Sequence, residues 1–557
     1  MLTNNVKDRP EYKVPVAPAG IPQWAFLQVE YLKRIANVIN YYIDNRQLAN
    51  GEFGGGLSDD DDFTNMFPGT AFMGIEPEKT LKSLRLMMSG FYNQERDPYY
   101  APLRQPSLPL FTNGIATINT DLLHAYEEGI EAIGQLQLLD YGNPAHINHG
   151  MAAAKRILED VTQINGAGHR HFRSRFYSGT AMSKEDPWQW SGGHSYHVMH
   201  PAYLLALYNG NPRLQKMIVE VADGLLAHAD ANGDVYTDIN FSTDSVRGTT
   251  RTQNPWEIFK AAYDITGDAK YLKPIKEQRL TDTHQFNPDS VAARYIERIK
   301  DLGAREYINT VGTVWIDRIV APDNDLQTDR LGGVALSRTS NIYPQNYVSW
   351  NIDKPATYES AAFFVSKANA TNIIVMAYNL EQKPVSANMT VWNTKLGRWR
   401  ITQGVDNNDD QQIDGSSTQR IIDLERGEAI KLTFPPRKNS IIKLELVQAA
   451  KTDYNQRADV GIGPTDVSIK DNEVTVRVYS LGAIDAPATT LQVKDPKGNV
   501  LATASVPTLK APLDLVPKWT DVKVKVPKGT NLTSGSVQLD AEKKMEQITR
   551  VNDYIKW

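Results

Sequence analysis

The period of the apolar residues changes near position 310, and that change limits the possible folds more than any other feature of the chain. Before it, hydrophobic side chains recur every three or four residues. In "WAFLQVEYLKRIANVINYYI" they fall at Phe26, Val29, Leu32, Ile35, Val38, Ile39, Tyr42 and Ile43, the spacing that lines one face of a helix. "EKTLKSLRLMMSGFY", "TDLLHAYEEGIEAIGQLQLL", "AHINHGMAAAKRILEDV", "NPRLQKMIVEVADGLLAHA" and "PWEIFKAAYDITG" repeat the pattern. After it come short β-branched and aromatic runs such as "TVWIDRIVA", "NYVSWNI", "NIIVMAYNL", "AIKLTFP" and "SIIKLELV", bounded by Pro, Gly, Asn and Asp. A helix-period pattern does not settle as a strand, so the chain predicts a helical half followed by a β half.

At 557 residues it is too long for a single core, and several domains are expected. The boundaries follow the pattern. Residues 1–21 read as an extension, 22–308 as the helical domain, 309–448 as a β-sandwich and 449–459 as a polar linker. In 460–557, "DVSIKDNEVTVRVYSLG" and "WTDVKVKVP" alternate cleanly and "DPKGN" supplies a turn, which fits an immunoglobulin-like sandwich. Within the helical part, "QLQLLDYGNPAHI", "LLALYNGNPRLQ" and "KAAYDITGDAKYL" share one plan: an apolar helix, a Gly-Asn or Gly-Asp turn, a second helix. Glycine supplies a left-handed C-cap and Asn or Asp caps the next helix, so repeated helical hairpins are predicted.

Composition removes several functions. The net charge of −5 gives no general attraction for nucleic acid or anionic membrane. The chain has no cysteine, which excludes thiol catalysis, thiolate zinc and disulfides. No uncharged apolar run is long enough to span a membrane, and "MLTNNVKDRPEYKVPVAPAG" has no apolar signal-peptide core.

Two stretches carry chemistry. "AGHRHFRSRFYSG" holds His169, Arg170, His171, Arg173, Arg175 and Tyr177 without one acid. Beyond it, "EDPWQWSGGHSYHVMHP" places Trp188, Trp190, His194, Tyr196, His197 and His200 just before a helix, and "SVRGTTRTQNPWEIF" adds Arg247 and Arg251. With His146 and His149, seven of the ten histidines lie between 146 and 200. Removing a proton beside a carboxylate needs cationic donors for the developing charge, with Tyr or His as base and acid, and Trp or Tyr to stack on the ring. This stretch supplies each type: His194, Tyr196 and His197 for proton transfer, and the arginines for the carboxylate. A solvated basic surface and ordinary helix-start histidines are the plain alternatives. His194, His197 and His200 also have helical spacing for a metal, but no glutamate accompanies them as base, and no metal is expected there.

"NGEFGGGLSDDDDFTNMFPG" is the second. Three consecutive glycines imply tight turns or close backbone approach, and Glu52, Asp60 and Asp62 stand beside them. Two such carboxyls, one protonated and one ionised, are what glycoside hydrolysis requires. The same acids suit calcium or sugar hydroxyls, or simply the positive end of a helix. "GVDNNDDQQID" lacks the glycine and final glutamate of a calcium loop and reads as a polar β-turn.

The helical-then-β order resembles the carbohydrate-active enzymes in which an α/α toroid precedes β-sandwiches, both polysaccharide lyases and glycoside hydrolases. Four or five hairpins are legible, against the six of a closed toroid. The resemblance implies an enzyme acting on an acidic carbohydrate, by β-elimination in the favoured reading and by hydrolysis through Glu52 and Asp60 or Asp62 in the second. A non-catalytic glycan-binding protein is the third. It further implies a secreted, periplasmic or cell-surface location and no cofactor other than an occasional calcium ion.

Overall fold

The structure, a computed structural model, describes residues 11–53, 57–93, 111–112, 115–116, 119–127, 131–178, 181–182, 189–250, 255–276, 280–312, 316, 319, 321, 323–337 and 342–557. Helix α1 (Gln23–Asn45) buries the face its spacing predicts, from Leu27 and Tyr31 through Ile35 to Tyr42. There follow α2 (Leu57–Thr64), α3 (Phe67–Phe72), α4 (Pro77–Asn93), α5 (Leu122–Ala125), α6 (Glu131–Leu139), α7 (Pro144–Arg156), α8 (His200–Asn209), α9 (Pro212–Leu226) and α10 (Trp256–Thr266). Two more, α11 (Pro288–Asn309) and α12 (Asn324–Leu331), close the helical part. Short strands lie among them: β1 (Phe111–Thr112), β2 (Ile115–Ala116), β3 (Asn119–Asp121), β4 (Thr162–Ile164), β5 (Arg170–Phe172), β6 (Phe176–Ser178) and β7 (Ala181–Met182).

The repeated turns are built as their residues dictate. Gly210 ends α8 in the left-handed conformation at φ 65°, and Asn211 then caps α9 by accepting from the amides of Arg213 and Leu214. Gly267 ends α10 at φ 72°, and Asp268 accepts from the Lys270 amide. A side chain at either glycine would strain that conformation. Consecutive helices therefore pack side by side: α6 on α7 and α8, α8 on α9, α9 on α10. No helix among the described residues is long and apolar enough to cross a membrane.

In the second half every ladder between strands is antiparallel among the described residues. One sandwich comprises β8 (Tyr347–Ile352), β9 (Ala361–Ala368), β10 (Asn372–Asn379), β11 (Val385–Trp392), β12 (Gly397–Asp406), β13 (Ser417–Leu424), β14 (Ala429–Phe434) and β15 (Asn439–Ala449). They form a five-stranded sheet, β13-β12-β15-β10-β9, and a three-stranded sheet, β14-β11-β8. Along β11 buried and half-buried residues alternate without a break, the period-two signature of a strand with one face on a core. Trp350 stacks on Phe363 at 3.7 Å and ties the two sheets. The turn between β12 and β13 folds on its own acids: Asp406 accepts from the Gln411 amide and Asp414 from that of Asn407.

The last strands are β16 (Val460–Gly461), β17 (Val467–Lys470), β18 (Glu473–Ser480), β19 (Thr489–Lys494), β20 (Val500–Val506), β21 (Lys518–Lys525), β22 (Ser536–Leu539) and β23 (Tyr554–Lys556). They make two sheets around a core of their own, with Val476, Leu491, Val524 and Leu539 inside it. The larger core is continuous from the helices into the first sandwich.

At the join sits Arg330 of α12, wholly buried. Its Nε donates to the Met73 carbonyl at 2.8 Å, and its Nη1 to Gln28 Oε1 at 2.8 Å and to the Ala361 carbonyl at 3.0 Å. Gln28 of α1 pairs with Phe363 as a strand would, receiving its amide at 2.9 Å and donating to its carbonyl at 2.7 Å. Burial pulls the arginine down to a pKa of about 9. Arg330→Met keeps the apolar stem but takes a donor from the Met73 and Ala361 carbonyls and from Gln28 Oε1, which retains the Phe363 amide. At about 1–3 kcal/mol for each of the two orphaned carbonyls, the expected loss is at least ~2 kcal/mol, read as a lower urea midpoint for the helical part and first sandwich together.

Candidate functional site

The acidic stretch folds into α2, and its acids turn inward: Asp60 and Asp61 are fully buried and Asp62 nearly so. An aromatic nest anchors this segment. Phe63 lies 5.6 Å from Phe53, 5.4 Å from Phe67 and 4.6 Å from Tyr42, ring centre to ring centre. Asp60 Oδ2 accepts from the Phe53 amide at 2.7 Å, so this carboxylate fixes the backbone immediately after Glu52. Glu52 and Asp62 are buried as well, keeping 9% and 4% of their surface.

A fifth carboxyl meets them from α6, one that no sequence motif singles out. Glu131 is fully buried; its Oε1 accepts from Asn65 Nδ2 at 2.8 Å and from the Tyr126 hydroxyl at 3.3 Å. One turn on, Gln135 Nε2 reaches the Asp61 carbonyl at 3.1 Å and Asp61 Oδ1 at 3.4 Å. Burial, and after it the charge of Asp61, push the Glu131 carboxyl well above the usual carboxylate range. Tyr126 continues the chain, its hydroxyl 3.4 Å from His200 Nδ1 and its ring 5.8 Å from that of His197. With Tyr126 donating to Glu131, His200 Nδ1 is left as donor to the tyrosine oxygen. Burial, with His197 second, lowers the His200 pKa to about 3, so its ring is neutral. Gly134 makes the approach possible, since a Cβ there would stand 2.2 Å from His200 Cε1.

The acid-rich loop and the histidine segment, two rival sites in the sequence, thus belong to one cluster. The basic stretch does not join it. Arg170 Nε is bound to Glu220 at 2.7 Å, Arg173 Nη1 to the Asp160 carbonyl at 3.3 Å, and Arg247 to Asp238 at 2.6 Å while lying 4.3 Å over Trp190. Arg175 precedes β6, where Tyr177 pairs with Thr120 of β3. Tyr196 is a core residue, 4.7 Å from Phe172 ring to ring, with its hydroxyl 3.5 Å from the Thr237 carbonyl, and burial raises its pKa. His194 lies in a 3-10 turn, Gly193–Met199, but its side chain, like Trp188 and Arg251, is outside the described residues.

Among the described residues the acids of α2 do not converge as metal ligands, because successive helical residues point in different directions. One group does converge: His169, His171, His228 and Asp244. The signals available for it were the His-x-His spacing in a short strand, which puts both rings on one face, and an isolated Asp in a turn. Nothing local marked Glu131 or Tyr126. A separate cleft of about 470 Å³ opens between α10 and the first sandwich, lined by Trp256, Tyr263, Tyr343 and Tyr454 with Asp264 and Arg426.

No family model matches the chain, and no curated protein matches it. Among solved structures it is similar to the crystal structure of Ara127N-Se, a GH127 beta-L-arabinofuranosidase from Geobacillus stearothermophilus T6, at 11% identity over 89% of this chain and 95% of that one, with a TM-score of 0.24. At that score the likeness carries no argument. What the fold establishes is a chain that is helical in its N-terminal part and antiparallel β thereafter.

The raised Glu131 pKa has a checkable consequence. A carboxyl that holds its proton more tightly when folded contributes stability that is present at low pH and lost as pH rises from about 4.5 towards the folded value. Urea midpoints measured across that range should decline with pH in the parent, and the decline should be shallower in Glu131→Gln, which keeps the shape but cannot ionise.

Proposed function

We propose that this chain is a carbohydrate-active enzyme that hydrolyses a glycosidic bond. The observation that carries the reading is the buried Glu131 carboxyl, influenced by Asp61 and joined through Tyr126 to His200, close in the fold to the acid-bearing helix α2. Burial, and after it the Asp61 charge, hold the Glu131 carboxyl well above the usual carboxylate range, so one acid of this region keeps its proton more tightly than an ordinary carboxylate. Glycoside hydrolysis needs an acid to protonate the leaving oxygen and a carboxylate to act as nucleophile or to activate water.

Glu52 and Asp62 take these two roles. Asp60 is a positioning residue through its bond to the Phe53 amide, and Glu131 with Tyr126 sets the charge beneath. In this reading the helical hairpins form an α/α toroid that presents the cluster at one end. Hydrolysis is preferred to β-elimination because Arg170, Arg173 and Arg247, three of the arginines that suggested a uronate, are held by internal partners, and Tyr196 packs in the core.

The aromatic cleft beside α10 supports a second reading, glycan binding without catalysis. Four aromatic side chains with an acid and an arginine are a usual lining for stacked sugar rings. A panel of plant and bacterial glycans separates the alternatives. Reducing sugar released without absorbance from an unsaturated uronate is the expected result. Asp62→Asn and Glu52→Gln should each lower turnover by roughly 10²–10⁴-fold with the circular dichroism unchanged. Unsaturated product would return the chemistry to elimination at His197. Binding without product on the whole panel would leave the cleft as the site.

A further inference from the structure

We infer that His169, His171, His228 and Asp244 form a structural site for one divalent transition metal, with zinc the best fit. Their ligand atoms all lie within 4.8 Å of one another. Asp244 stands at the centre, with Oδ2 2.9 Å from His169 Nδ1 and 3.1 Å from His228 Nε2, and Oδ1 3.4 Å from His171 Nε2. The three rings face each other edge to face, with centroids 5.2–5.9 Å apart.

Three features argue for a cation rather than a packed histidine cluster. The His171 side chain is fully buried, yet its Nδ1 has no hydrogen-bond partner among the described residues and its Nε2 has only a long contact, 3.4 Å, with Asp244 Oδ1. An unpartnered polar group in that position is costly.

The second feature is the orientation of His228. Its Nδ1 lies 2.8 Å from the Gly224 carbonyl, which accepts from it. Its Nε2 thereby faces two oxygens of Asp244, the backbone carbonyl at 3.0 Å and the carboxylate at 3.1 Å. An N–H to a backbone carbonyl is how proteins orient a metal-binding imidazole, with the other ring nitrogen aimed into the site.

The third lies behind the carboxylate. Asn165 Nδ2 donates to Asp244 Oδ1 at 2.6 Å, and Asp244 adopts a left-handed φ of 57°, a strained conformation for a non-glycine residue held where a side chain is being aimed.

Three imidazoles and one carboxylate are a nitrogen-rich, borderline-soft set suited to four-coordinate zinc, and with all four positions filled by protein the site is structural. It would clamp the β4–β5 hairpin, the segment after α9 and the 240–246 turn. That turn is joined to the strand leading to His197 and His200, through the Trp190–Asn240 bridge and the bond from the Phe241 amide to the Gln189 carbonyl.

Metal analysis of the purified full-length chain tests this without any activity assay. About one zinc per chain is expected, with visible d–d absorbance when cobalt(II) replaces it, and a melting temperature that falls with chelator and recovers with zinc. His169→Gln, at the half-exposed edge, should remove the cobalt spectrum from a folded protein, and Asn165→Ala should weaken metal affinity roughly 10–100-fold. A chain that takes up no zinc or cobalt after incubation with either salt, and melts at the same temperature with and without chelator, overturns the assignment and leaves a histidine–carboxylate cluster. Loss of glycan hydrolysis with metal retained would instead count against the acid cluster alone.

Discussion

A single buried cation organises the joint on which the molecule depends. Among the described residues Arg330 has no carboxylate in its hydrogen bonds; two carbonyls and the Gln28 amide oxygen hold it. Removing a guanidinium from water costs several kcal/mol, and that is recovered only when its donors meet fixed acceptors. The fixed acceptors come from three places far apart in the chain: α1, the end of α3 and the start of β9. Trp350 of β8 then donates to the Arg330 carbonyl, bringing in the second sheet of the sandwich. The arrangement can form only when the first helices and the sandwich are already in register. The candidate site inherits that register, since α2 and α3 are consecutive and the α3 exit is held by Arg330. Gln327, one turn before Arg330, lies so close to Gly69 that a Cβ there would be 2.3 Å from its Nε2.

The Gly-Asn turns do more than reverse the chain. Tyr208 hydrogen-bonds Asp459, Asn209 donates to the Leu481 carbonyl at 2.8 Å, and Asn552 donates to the Gly142 carbonyl at 3.1 Å. Arg426 reaches the carbonyls of Leu207 and Tyr208 at the end of α8. Carbonyls at helix C-termini, which a helix cannot satisfy internally, here accept from Asn552 of the last β module and from Arg426, while Tyr208 and Asn209 at the end of α8 donate to that module. Burial lifts the Asp459 carboxyl well above its usual range, with Tyr208 and Asn552 opposing the shift. The turn sequence that reads as a local signal thus also serves contacts between segments hundreds of residues apart.

That dual use marks the limit of what could be read in advance. Helix and strand periods, the Gly-Asn caps and the acid-loaded loop are local features, and each is legible because its cause lies within a few residues. The site is not local. Asn65 meets Glu131 across 66 residues and Tyr126 meets His200 across 74, and Gly134 looks like an ordinary helix glycine until His200 lies on it. The basic stretch shows the converse. Its charge density was legible, but the partners that explain it, Glu220 and Asp244, are supplied by α9 and by a distant turn. Composition identified unusual residues there, and the carboxylates that His169, Arg170 and Arg247 meet lie within the protein itself.

The remaining question is why a fold would bury carboxyls at all. A structural acid is ordinarily paired with a cation, as Asp140 is with Arg85 and His146, which hold its carboxyl below the usual range against the opposing effect of burial. Glu131 is treated differently. Its hydrogen bonds come from the neutral Asn65 and Tyr126, and a neighbouring aspartate raises its pKa further. Replacing such a group by a hydrophobe of similar volume would stabilise most cores. Local rules broken at cost, with no compensating gain in packing, concentrate where a protein does chemistry. The acid-rich end of α2 and α6 breaks those rules, which is the ground on which chemistry is proposed there; Asp140, 9 residues from Glu131 in sequence, shows that the same region of the chain also builds a conventional ion pair.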